Sequence, residues 1–154
     1  MTRASTPILA SRIIPLNENG AYSWFSDPRA IIHNGKLIVG SVRAVDTFRG
    51  GQGDPNWGNI DISVCDLATC NTSTVPLHRN FEQDDHDDPA FLILPDDRLL
   101  AFYSKHGVER KAFLRRSEPN NPLAWSDATI IETPGKDAAA FRGEQAVCKL
   151  GDES

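Results

Sequence analysis

Long apolar runs are missing from this chain. No stretch approaches the length a membrane-spanning helix needs, and the first ten residues, Met1 to Ala10, lack the apolar core of a secretory signal. No membrane partner is expected, and the amino terminus supplies no localisation signal. A basic stripe is missing too. Lys and Arg number 16 against 21 Asp and Glu, for a net charge of −5. The one basic group, Arg110-Lys111 with Arg115-Arg116, is too small to displace counterions from a phosphate backbone, so no nucleic-acid partner is expected. Cysteine is scarce, and Cys65, Cys70 and Cys148 show no zinc-ribbon spacing. The Cys65 and Cys70 pair spans a strand end and a turn, and reads as two reduced thiols rather than a disulfide. The Asp-x-Asp-x-Asp-Gly spacing of a calcium loop is absent, and neither a metal nor a cofactor is expected. Helical periodicity is absent throughout, which leaves an all-β reading.

What the chain does contain is short apolar runs bounded by turn residues. Ala30 to Ile32 and Leu37 to Val39 flank His33-Asn34-Gly35, while Phe91 to Leu94 and Leu99 to Tyr103 flank Pro95-Asp96-Asp97. Further strands are expected at Asn59 to Cys65, Thr74 to His78, Lys111 to Arg116 and Ala128 to Glu132. The segments Arg49 to Asn56 and Glu118 to Pro122 read as a loop and a turn. Several of these runs are apolar without strict alternation, as expected of strands whose sheet is covered on both faces.

The runs also repeat. An acid, a proline, an apolar strand, a polar turn and a second strand occur in that order from Asp27 and again from Asp88, and a third start lies at Glu144. Units of about 60 residues hold four short strands each, the content of one propeller blade. The expected fold is a partial β-propeller: two antiparallel four-stranded blades, at about residues 20–80 and 81–140, plus the start of a third at 141–154.

The second repeat opens on the run richest in chemistry. Asp84-Asp85-His86-Asp87-Asp88-Pro89 sets one histidine among four carboxylates at the entrance of a strand. A histidine on so rigid a mount suits proton transfer near neutral pH or the gripping of an anionic group. The competing reading is a solvated acidic loop.

Three segments together, Ala21 to Ala30, Asp84 to Ala90 and Leu99 to Gly107, resemble the BNR-repeat-containing, sialidase-like β-propeller family, which includes the ulvan-type polysaccharide lyases. Ser117 to Trp125 adds a weaker echo, similar to a degenerate Asp-box turn. The resemblance implies a propeller of about seven blades, of which this chain would be the amino-terminal part with the rest of the propeller missing, and an extracytoplasmic location. It implies an anionic polysaccharide as partner and β-elimination at a uronic acid as the reaction. In that reaction the sugar carboxylate is neutralised, the C5 proton removed and the leaving oxygen protonated. By the same resemblance His86 is the proton-transfer group and His106 its neighbour. Arg29, with Arg43 as a weaker second, would take a carboxylate or sulfate. Trp24 would stack on a sugar ring or pack between blades. Tyr103 reads as core, and His33 and His78 as surface residues. The family's catalytic tyrosine would lie in later blades, so the fragment alone is expected to bind without efficient turnover.

One departure stands out: Asp87 occupies a position where lyase members tend to carry an amide, and its charge opposes an anionic sugar. Two alternatives therefore stay open. One is a sialidase-like glycoside hydrolase, although its arginine cluster is not visible. The other is a non-catalytic carbohydrate-binding or interaction propeller.

Overall fold

In the computed structural model, residues 13–21, 23, 29–44, 54–106 and 109–132 are described. They contain nine strands and no helix, so the all-β expectation holds for them. Strands β1 (Ala30–His33), β2 (Lys36–Val42), β3 (Ile60–Asp66) and β4 (Thr72–His78) pair in sequence order as one antiparallel sheet. Strands β5 (Ala90–Ile93), β6 (Leu99–Ser104), β7 (Lys111–Glu118), β8 (Asn121–Trp125) and β9 (Thr129–Glu132) form a second. Two meandering sheets of four and five strands are compatible with a partial, open propeller-like arrangement. The third repeat start, at Glu144, lies outside the described residues.

Turn chemistry sets the hairpins. Asn34 and Gly35 both take positive φ, 47° and 72°, the conformation of a two-residue turn whose twist matches its strands. Asp97 (φ 62°) and Asn120 (φ 56°) do the same for the β5–β6 and β7–β8 connections. Between β3 and β4, the Asp66 carboxylate accepts from the Ala68 and Thr69 amides, holding the turn that carries Cys70. Cys65 and Cys70 are both free thiols, as expected.

The second sheet differs from the expected four strands, and the reason is local. The segment from Glu118 to Pro122, read from sequence as a turn, closes its turn within Pro119 and Asn120, and β8 begins at Asn121. A bulge then separates the Ser117–Trp125 pairing from the Glu118–Asn121 pairing. Strand β9 resumes alongside the other half of β7, pairing Leu114 with Thr129 and Lys111 with Glu132. The outermost position is thus filled by one strand in two pieces, which explains why five strands occupy a four-strand plan.

One core lies between the sheets. Ile38, Ile60, Ile62, Val64 and Leu77 from the first sheet meet Leu99, Ala101, Tyr103 and Phe113 from the second, with Phe81 of the connecting segment joining them. Strand β3 alternates in sequence, Ile60-Asp61-Ile62-Ser63-Val64, yet it is buried along nearly its whole length, polar positions included. Close stacking depends on Gly40: a Cβ there would sit 2.4 Å from Cγ and 2.7 Å from Cδ of Pro89. Beside that contact the Asp88 carboxylate accepts a hydrogen bond from the Val42 amide at 2.9 Å, joining the end of β2 to the entrance of β5.

Candidate functional site

Residues 79–89 carry the chain from the first sheet to the second, and their path is fixed at both ends. At the start, the Asn80 amide donates to Asn59 Oδ1 (2.8 Å), and the Phe81 and Glu82 amides donate to the Gly58 carbonyl (2.9 and 3.3 Å). Gly58 must be glycine: its φ is +78° and a Cβ would lie 2.7 Å from the Glu82 carbonyl oxygen. The side chain of Phe81 is buried among His78, Tyr103 and Phe113, with ring centres 4.7–5.2 Å from its own. At the far end Asp88 and Pro89 lock onto β2 through the contacts given above.

Held between these anchors is a cluster of one carboxylate and two imidazoles. Asp84 Oδ1 accepts from the His86 amide (2.9 Å) and from His86 Nδ1 (2.7 Å), while Asp84 Oδ2 accepts from His106 Nδ1 (3.0 Å). His106 follows β6, and its own amide donates to Glu82 Oε2 at 2.8 Å. The two rings lie 4.5 Å apart between centres, tilted by 43°. Asp85 Oδ1 is 3.1 Å from His86 Nδ1, adding a further carboxylate on that side. The cluster opens to solvent, with His86 26% and His106 46% exposed.

Burial pushes the Asp84 carboxyl up, but the His86 amide and the two imidazole hydrogen bonds outweigh it, and the group is held below the usual carboxylate range. An ionised carboxylate only accepts. Both Nδ1 atoms therefore stand as the donors in these two contacts.

The sequence-predicted site residues divide. His86 and His106 come together. Arg29 sits at the base of the same loop, with Nη1 on the Asp88 carbonyl at 2.6 Å. Arg43 lies elsewhere and bridges Asp61 (2.9 Å) and Asp54 (3.1 Å), with the Asp61 side chain almost fully buried. Trp24 lies outside the described residues. Of the four acids around His86, Asp84 and Asp85 face its ring at Nδ1, whereas Asp88 serves the junction between the sheets and Asp87 is fully buried.

Two histidines expected at the surface, His33 and His78, are instead half-buried and partnered. His78 packs against three aromatic rings and its Nδ1 lies 3.1 Å from the Tyr103 hydroxyl. Burial, then the nearby Arg115 and Lys105 charges, lower its pKa. His33, only 15% exposed in its side chain, meets Asp97 at 3.4 Å across the turns at the opposite end of the strands. Tyr103 is core, as expected, and burial pushes its hydroxyl up to about 12.

Sequence reasoning missed Asp84 as the shared acceptor and Glu82 as the support of His106. An acid two residues before a histidine was visible, but four neighbouring acids gave no reason to single it out. No known protein family, curated protein or solved structure matches this chain in comparison.

Proposed function

We propose that the cluster serves proton transfer on a carbohydrate, with an acidic polysaccharide as substrate and β-elimination at a uronate as the reaction. The observation that carries this reading is the sharing of Asp84 by two imidazoles, which orients both rings on one face of the loop. A carboxylate behind a histidine fixes its tautomer and stabilises the imidazolium formed when the ring takes a proton. His86 would remove the C5 proton through Nε2. His106, in its protonated form and one ring away, would deliver a proton to the leaving glycosidic oxygen. Electron bookkeeping is simple: the C5–H pair becomes the C4–C5 double bond and the C4–O pair takes the proton. Arg29, at the base of the same loop, is the cation proposed to face the sugar carboxylate.

The test is incubation of the purified chain with uronate-containing polysaccharides, following the ultraviolet absorbance of the unsaturated product. His86→Ala is expected to lower any turnover by about 10²- to 10⁴-fold with little change in melting temperature. Binding with only traces of unsaturated product is what the resemblance leads one to expect of this chain, whereas binding and product both unaffected by His86→Ala would replace this reading with that of a binding propeller. Neither binding nor product would overturn both.

A further inference from the structure

We infer that Asp84, His86 and His106 form a binding site for a divalent transition-metal ion, independently of any reaction on carbohydrate. Their ligand-capable atoms all lie within 4.8 Å of one another. The two imidazoles converge through the same atom, Nδ1, on the two oxygens of one carboxylate at 2.7 and 3.0 Å. A four-coordinate zinc ion with bonds of about 2.0–2.1 Å holds its ligands a little more than 3 Å apart. An ion in place of the two Nδ1 hydrogens asks the two carboxylate–imidazole distances to open by a few tenths of an ångström and the set, which spans up to 4.8 Å, to draw in around it.

The donor set selects the class of ion. Two imidazole nitrogens and a carboxylate suit zinc, cobalt(II) or nickel(II), whereas calcium and magnesium prefer oxygen alone. Local charge favours a dication as well, because Asp85 approaches His86 Nδ1 at 3.1 Å and Glu82 lies beneath His106. The support that metal ligands need is already present. The His86 amide fixes Asp84 Oδ1, and Glu82 fixes the His106 backbone. Three protein ligands on a solvent-open face leave a position for water or an incoming oxygen ligand. The loop residues Asp84 and His86 come from the segment tied to the first sheet, and His106 from the end of β6 in the second, so the full set exists only when the sheets are stacked.

The experiment is a cobalt(II) titration of chelator-treated protein in the absence of saccharide, read by visible d–d absorption. One equivalent is expected to give the intense bands of a four- or five-coordinate ion, and zinc is expected to abolish them. His106→Ala and Asp84→Asn should each weaken cobalt affinity by about 100-fold or more, given that even an outer partner of a metal ligand is worth about 10- to 100-fold. Unchanged far-ultraviolet circular dichroism would show both variants folded, and should one unfold, His106→Gln serves in its place. His33→Ala, at the opposite end of the strands, should titrate like the parent. Failure to develop bands with one equivalent, or full bands in the His106 variants, would overturn the site. Cobalt uptake without action on polysaccharide would leave the metal site standing and remove the proton-transfer reading alone.

Discussion

A methyl group added at Gly40 should loosen the two sheets and disturb the histidine cluster together. The new Cβ would stand 2.4 Å from Pro89 Cγ, 2.7 Å from Pro89 Cδ and 3.1 Å from Phe91 Cζ. Pro89 cannot rotate away, because its ring is closed on the backbone and the preceding Asp88 is bound to the Val42 amide. Overpacking of this kind costs about 1–3 kcal/mol, and a rigid neighbour places Gly40→Ala near the upper end. For a chain of this size 3 kcal/mol corresponds to about 6–12 °C in melting temperature. Urea unfolding gives the free energy, and the imidazole resonances of His86 and His106 report the site at the other end of the Asp88-Pro89 lock. Gly35→Ala is the control. Nothing lies within 4 Å of a Cβ there, and its cost, about 1–2 kcal/mol, comes from its φ of 72° alone, with the histidine resonances unmoved. Pro89→Ala introduced beside Gly40→Ala should recover at least half of the loss. A Gly40→Ala protein within about 0.5 kcal/mol of the parent, or a double variant with no recovery, would refute the stacking argument.

Arg43→Met should destabilise by about 2 kcal/mol, below the 3–5 typical of a wholly buried pair because the guanidinium is a quarter exposed. Adding Asp61→Asn should restore most of it in the same urea assay, since the cost is the abandoned buried carboxylate. Tyr103 should titrate near 12 by its phenolate absorbance. A phenol whose folded pKa is raised contributes stability below about pH 10, its unfolded value, and that contribution should vanish as pH climbs toward 12, unlike in Tyr103→Phe.

The strands were legible because physical rules act over a few residues. Ile31, Ile38, Leu92 and Leu100 sit in apolar runs closed by Asn34-Gly35 and Asp96-Asp97, and those turns need no distant partner. β8 was not legible, since Asn121-Pro122 reads as turn material. Pro122 is tolerated because β8 is an outer strand that pairs with β7 on one side. The meeting of His86 and His106 followed from the ordered segments around them rather than from their spacing. What neighbours could not reveal was commitment to remote partners. His78 looked like a surface residue until Phe81, Tyr103 and Phe113 closed on it, and Arg43 looked available until Asp54 and Asp61 took both sides of its guanidinium.

The connecting segment 79–89 also separates local contacts from long-range ones. Within each sheet, apart from β9 on β7, neighbouring strands are neighbours in sequence, so the hairpins can close locally. The loop that carries His86, by contrast, is tied to the first sheet across 46 residues, from Asp88 to Val42, while His106 belongs to the second. The native geometry of the histidine pair thus depends on how the two sheets dock, and a refolding experiment that watches its rings beside a probe of the hairpins is expected to see the rings settle no earlier than the strands.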